Sequence, residues 1–178
     1  MATQEEIFKI LKERFGPRIL EEHPEGQVEP FVVFDPEAVD DLARFCRDDA
    51  RLRFDLLSVI STVDWPGQEA VEGTGGKPGT PERAGVIEVV YLLDSTVLRH
   101  RLMAKAKLPR DNPRIRSVEN VWRAADWHER EAFDLMGVIF EGHPNLVRIL
   151  CAEDWEGHPL RKDYVMPEFY HGIKNVVY

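Results

Sequence analysis

At the start of the chain Ile7, Ile10, Leu11 and Phe15 recur at helical spacing between Thr3-Gln4-Glu5-Glu6 and Gly16-Pro17. Thr3 with Glu6 is a capping box and Gly-Pro is a stop, so the pattern predicts a short amphipathic helix. Residues 18–23 and 30–35 read as two short strands around a polar turn at Pro24-Glu25-Gly26, the second built on the apolar run Phe31-Val32-Val33-Phe34. Asp35 as N-cap with Pro36 behind it starts a second helix, whose buried face is Val39, Leu42, Ala43 and Cys46. Cys46 therefore reads as a small core residue. Residues 54–63 and 86–93 are rich in Val, Ile, Leu and Tyr, and residues 97–107 alternate cationic and apolar positions, as in Leu98-Arg99 and Arg101-Leu102. These three predict an antiparallel meander with one wet face and the helices on the other. Pro109, Asn112 and Pro113 end the sheet.

Between the first two strands of the meander lies a Gly- and Pro-rich stretch at residues 66–81, expected to be a mobile hairpin tip. Its Gly76-Lys77 is not a phosphate loop, because Val71 stands where the earlier Gly belongs and Pro78 where Ser or Thr is required. The expected organisation is an α/β sheet region over 1–113, with the mobile loop at about 66–85. A helix-and-loop segment over 114–164 and a C-terminal arm over 165–178 follow it.

With 178 residues, 43% hydrophobic and 31% charged, the chain fits one globular domain with a core of its own. A net charge of -9 argues against a nucleic-acid partner. Two distant cysteines, Cys46 and Cys151, cannot by themselves build an iron–sulfur or structural zinc site, and they suit a reducing compartment. No signal peptide is expected in Met1 to Gly16. No run approaches the roughly 18 apolar residues of a membrane span, so any work at a membrane is expected to go through a partner.

Chemistry concentrates in residues 126–164. Glu141-Gly142-His143-Pro144 recurs as Glu156-Gly157-His158-Pro159, each copy preceded by an aromatic residue, Phe140 or Trp155. Asp126 with Glu129 reads as another capping box and Gly137 as a C-terminal stop, predicting a helix over 127–136. On it Arg130 falls between Asp126 and Asp134 at spacings of four, either a solvated ion-pair ladder or a guanidinium fixing the helix against another surface. His128, Glu131, His143 and His158 are suitable metal ligands in type, but no His pair stands at i,i+4 and there is no H-E-x-x-H, so a metal-dependent hydrolase is a remote alternative. His143 and His158 each precede a Pro, which holds the backbone extended and suits a stiff loop. Glu129, Glu131 and Asp134 lack a nucleophile with a base beside it. Residues 154–164 add Trp, Tyr and Arg, the types that dominate interface hot spots. The tail beyond Tyr164, with Pro167, Phe169, Tyr170, Ile173 and Tyr178, is either an arm laid along a neighbour or a segment folded back on its own domain.

Three groups of residues closely resemble the signature of the respiratory complex I 30 kDa subunit family, the C-type subunit of NADH-quinone oxidoreductase in bacteria. They are Glu129-Arg130-Glu131 with Asp134 and Gly137; Phe140 through Pro144 with Arg148-Ile149-Leu150; and Asp154-Trp155-Glu156-Gly157-His158-Pro159-Leu160-Arg161-Lys162-Asp163-Tyr164. The match is specific over residues 117–164. Val165 departs from it where the family has Pro, and the stretch after Trp65 looks like a local insertion. The resemblance implies an α+β fold: a mixed, largely antiparallel five-stranded sheet covered by helices, with an irregular docking segment and tail. It implies a peripheral-arm subunit on the cytoplasmic face of the membrane, docked on the large (D-type) quinone-site subunit through Trp127 and the residues just named. It also implies no cofactor on this chain, with FMN, iron–sulfur clusters, NADH and quinone on other subunits. The equivalent subunit of a membrane-bound hydrogenase or an F420H2 dehydrogenase shares the signature. The short tail gives no sign of fusion to the large subunit.

Overall fold

The computed structural model describes residues 2–24, 29–68 and 83–175. The expected tip of the Gly- and Pro-rich loop falls outside them; Gln68 and Arg83, on either side, are joined by paired backbone hydrogen bonds.

Helix α1 spans Gln4–Phe15, with the Thr3/Glu6 capping box formed in both directions and Gly16 at its C-cap. It buries Ile7, Phe8, Leu11 and Phe15. Strands β1 (Ile19–His23) and β2 (Phe31–Phe34) pair antiparallel. Asp35 caps as expected, accepting from the Glu37 N–H, but Pro36–Ala38 forms a 3-10 turn first, and α2 runs over Val39–Asp48. Its buried face is Val39, Leu42, Ala43 and Cys46, and burial pushes the Cys46 thiol pKa up, away from thiolate reactivity.

Strands β3 (Leu56–Trp65), β4 (Val86–Asp94) and β5 (Arg101–Pro109) form the antiparallel meander. The third strand starts four residues later than its alternation suggested. Residues 95–100 form a turn closed by the Ser95 N–H donating to the His100 carbonyl, and in it Arg99 takes a positive φ of 56°. β2 joins β5 in parallel, giving a mixed five-stranded sheet of order β1-β2-β5-β4-β3. Along β5, Leu102, Ala104, Ala106 and Leu108 point into the core. Lys105 and Lys107 stand on the other face, paired with Glu88 at 3.2 Å and Glu21 at 2.7 Å.

β6 (Arg114–Arg116), α3 (Ala125–Met136) and β7 (Ile139–Glu141) follow, β6 and β7 pairing in parallel on either side of the helix. Ile115, Val118, Trp122, Ala125, Ala132, Met136 and Phe140 belong to the same buried cluster as α1, α2 and the inner sheet face. Trp122 is anchored there by its indole N–H, which donates to the Phe54 carbonyl at 2.9 Å. Residues 142–168 have no regular structure, and β8 (Phe169–Tyr170) with β9 (Ile173–Lys174) makes a small hairpin.

Candidate docking surface

An irregular segment of this length needs something to hold it, and the C-terminal end of α3 does so. The last carbonyls of a helix have no partner within it. Here the Asp134 carbonyl accepts from His158 Nδ1 at 3.0 Å and from Arg148 Nη1 at 3.2 Å, Leu135 from the Leu160 N–H at 3.1 Å, and Met136 from Arg161 Nε at 2.8 Å. Two of these donors are cationic side chains, which also suit the negative end of the helix dipole. Gly137 lets the loop come this close. It has a φ of 73°, and a Cβ there would lie 2.5 Å from His158 Nε2 and 2.8 Å from Arg161 Nη2.

The Asp134 carboxylate is fully buried and ties down the preceding stretch. Its Oδ2 accepts from the N–H groups of Ile149, Leu150 and Cys151 at 3.0, 2.7 and 2.9 Å, and its Oδ1 from Arg148 at 2.7 Å. Burial alone would raise its pKa, but the three N–H donors and the Arg148 guanidinium outweigh that and hold it down at about 2. Arg148 also reaches the Gly157 carbonyl at 3.0 Å, so one guanidinium links helix, loop and the second Gly-His-Pro turn. Asp134 is therefore paired with Arg148 and not with Arg130, as helical spacing suggested. Arg130 instead lies beside Trp127, 5.6 Å from the ring centroid, and donates to the Val147 carbonyl at 3.2 Å.

The helix also begins differently from its sequence pattern. Ala124 is the N-cap, with no side-chain cap, and Glu129 does not reach back. Glu129 is wholly buried, accepting from the Ser117 hydroxyl at 2.5 Å and the Val118 N–H at 2.8 Å. Desolvation dominates these two bonds, and the nearby Glu119 and Asp126 add to it, raising its pKa to about 7. A raised pKa means the folded protein holds this proton more tightly than the unfolded chain does. The stability from this site is thus complete below the ordinary value of 4.5 and is lost as pH rises toward 7. In urea unfolding this site is expected to contribute about 2.5 kcal/mol more stability at pH 5 than at pH 8, and Glu129→Gln is expected to abolish most of that difference.

Both Gly-His-Pro turns place their glycine at positive φ and their imidazole on backbone groups. His143 Nδ1 accepts from the Asn145 N–H at 3.0 Å, which assigns the proton to Nε2, 3.3 Å from the Asp126 carbonyl. His128, Glu131, His143 and His158 are not brought together, and no three His, Cys, Asp or Glu groups among the described residues converge as a metal site.

Sequence reasoning missed a second anchor. Asp64, at the inward-facing end of β3, is 3% exposed. It receives Arg110 Nε at 2.6 Å and Nη2 at 2.8 Å, and the Lys162 N–H at 2.7 Å. Arg110 also holds Asp163 at 2.6 Å. The Arg110 guanidinium, its largest influence, keeps the Asp64 carboxyl below its ordinary range. The available signal was an Asp in phase with buried Ile60 on an alternating strand. The tail folds back as well, since Tyr170 and His171 donate to Asp154 at 2.8 and 2.7 Å.

On this anchored segment eight large apolar side chains face outward. Trp127, Val147, Leu150, Leu160, Val165, Met166, Phe169 and Ile173 are all exposed, Trp127 at 66% and Val165 at 84%. Of the other signature residues, Phe140 is buried, Trp155, Pro159 and Tyr164 are half-buried, and Glu131, Gly142, Pro144, Asp154, Gly157, Lys162 and Asp163 are exposed. Large exposed apolar side chains on a rigidly held support are what an interaction surface offers, which makes this segment the candidate. No helix among the described residues is long and apolar enough to cross a membrane.

Residues 32–170 match the family model "Respiratory-chain NADH dehydrogenase, 30 Kd subunit". The chain is 42% identical to the C-type NADH-quinone oxidoreductase subunit of Chloroherpeton thalassium, over 96% of this chain and 64% of that protein. It is 40% identical to the Chlorobium phaeobacteroides subunit of the same type, over 94% of this chain and 92% of that one. It thus spans just under two thirds of the first relative and nearly all of the second. Among solved structures it resembles the trypsin-resistant fragment (1-134) of Nqo5, with a TM-score of 0.55, 27% identity and coverage of 79% of this chain and 98% of that one. It also resembles a chain in the structure of the membrane-bound sulfane sulfur reductase, an archaeal respiratory membrane complex, with a TM-score of 0.69, 28% identity and coverage of 93% and 87%. A mixed five-stranded sheet, an α3 whose end is closed by the Arg148 and His158–Arg161 loops, and a match over most of its length place this chain in the 30 kDa subunit family of respiratory complex I.

Proposed function

We propose that the chain is a non-catalytic peripheral-arm subunit of a proton-translocating NADH:quinone oxidoreductase, docked on the large quinone-site subunit at the cytoplasmic face of the membrane. The observation that carries this reading is the division of labour within residues 126–175. Asp134, Arg148, His158 and Arg161 are spent on internal anchoring, while Trp127, Val147, Leu150, Leu160 and Val165 are left facing solvent. In this reading the chain binds no cofactor, and FMN, iron–sulfur clusters, NADH and quinone belong to neighbouring subunits. Electron transfer from NADH to quinone is supported by holding those neighbours in place.

Affinity purification of the tagged chain from mild detergent extracts, followed by native mass measurement, tests this. The expected result is an assembly containing the large quinone-site subunit and NADH-oxidising subunits. A chain recovered only as a monomer would overturn the proposal. The likeness to a chain of the sulfane sulfur reductase complex supports a second reading, in which the same surface serves a sister complex such as a membrane-bound hydrogenase or F420H2 dehydrogenase. The electron-input subunits recovered in the same experiment decide between them.

A further inference from the structure

The two edges of the five-stranded sheet are built differently. β1 is five residues long, carries Glu21, Glu22 and His23, and its register with β2 shifts between Ile19 and Glu21. Brevity, charge and irregularity are the devices by which sheet edges avoid pairing with other chains. β3, at the opposite edge, has ten residues and contains no Lys, Arg or Pro. Its one charged residue, Asp64, points inward and is already buried against Arg110. After a register shift between Leu57 and Val59, residues 59–65 run in unbroken register with β4. Among the described residues no strand pairs with the outer side of β3, and no backbone hydrogen bond beyond its ladder with β4 involves residues 56–65.

Beside this edge lies a groove of about 190 Å³, with β3 residues 59–62 on one side and His128, Glu131 and Leu135 of α3, with Leu160, on the other. An edge strand facing a helix across a groove is the geometry in which extended peptides add to a sheet, main-chain hydrogen bonds giving affinity and alternate side-chain positions giving specificity. Leu160, 58% exposed, makes the groove continuous with the docking surface described above.

We propose that the free edge of β3 takes an extended segment of the partner subunit as a sixth strand, seated between β3 and α3. The proposal rests on the docking reading and specifies its mode. The incoming strand would set an apolar side chain against Leu135 and Leu160 and a cationic one against the exposed Glu131. A second copy of this chain fits the same edge poorly. Antiparallel pairing of two β3 strands would bring two α3 helices and their Glu131 carboxylates together, on chains that each carry a net charge of -9.

Adjacent residues of an antiparallel edge strand send their N–H groups alternately to the partner strand and outward. Of Ser61→Pro and Thr62→Pro, one therefore breaks the ladder with β4 and the other removes only an outward N–H, which an edge strand tolerates. The variant whose isolated chain keeps the wild-type melting temperature within about 3 °C is expected to be recovered in the membrane assembly about tenfold less than wild type. Undiminished recovery of that variant would overturn the proposal. If both variants unfold, hydrogen exchange on wild-type protein decides. Half the amides of residues 59–65 are expected to exchange at least about 100-fold more slowly in the purified assembly than in the isolated chain, and equal rates would overturn the proposal. A dimer of the isolated chain that the fold-preserving variant dissociates would overturn it in favour of a second copy. A wild-type chain that leaves the membrane as a monomer overturns the docking reading and this proposal with it, whereas assembly that tolerates the proline overturns this proposal alone.

Discussion

Asp134→Ala is expected to lower the unfolding free energy at pH 7 by about 3–5 kcal/mol, the range for removing one partner of a buried ion pair. The loss is large because the carboxylate serves four donors at once, the N–H groups of Ile149, Leu150 and Cys151 and the guanidinium of Arg148. Removing it leaves three amides without their acceptor and the Arg148 cation without its counter-charge, with only the Asp134 and Gly157 carbonyls still accepting from it. Urea unfolding at neutral pH measures the effect. The pH dependence supplies a second signature. Since the carboxyl pKa is depressed to about 2, its contribution is fully present above the ordinary value of 3.8 and is lost as pH falls toward 2. Wild type is expected to lose about 2 kcal/mol from this group across that window, and Asp134→Ala to lose none from it. The window lies below the one expected for Glu129, so the two groups can be separated in a single pH series.

Gly137→Ala is expected to have the next largest effect, about 3 kcal/mol, from two sources that a control separates. A non-glycine residue at a φ of 73° costs about 1–2 kcal/mol in backbone strain. The added methyl would also sit 2.5 Å from His158 Nε2, so the His158 ring and the Arg161 side chain must swing aside and give up their bonds to the Asp134 and Met136 carbonyls. Gly142 has a similar φ of 82° but nothing within 4 Å of a built Cβ. Gly142→Ala should therefore show the strain alone, about 1–2 kcal/mol. Limited proteolysis is expected to cut residues 157–164 in the Gly137 variant and to spare them in the Gly142 variant.

What the sequence made legible was local. The Thr3/Glu6 box, the buried stripe of Val39, Leu42, Ala43 and Cys46, and the stop at Gly137 each depend on residues within one or two helical turns, where spacing and contact coincide. The antiparallel meander followed from strand periodicity for the same reason. The misreadings around α3 share one physical cause. Asp126 and Glu129 have capping-box spacing, and Arg130 lies four residues from Asp134, but Glu129 is claimed by Ser117 and Val118 and Asp134 by residues 148–151. Those partners arrive through tertiary packing from 11 to 17 residues away, and no helical pattern encodes them. The Asp64–Arg110–Lys162 anchor spans still longer separations, 46 and 98 residues. The residues of the signature were recognisable as a set. Their separation into buried anchors such as Asp134 and outward-facing side chains such as Trp127 required coordinates.

That separation is the central claim, and the double variant Trp127→Ala, Val165→Asp tests it most directly. Both side chains are exposed and neither makes an anchoring hydrogen bond, Trp127 touching the anchors only through the Arg130 guanidinium 5.6 Å from its ring centroid. Urea unfolding of the isolated chain is expected to stay within about 0.5 kcal/mol of wild type, while the large quinone-site subunit recovered with the tagged chain from membranes falls at least about tenfold. Full recovery of that subunit with an equally stable chain would contradict the account.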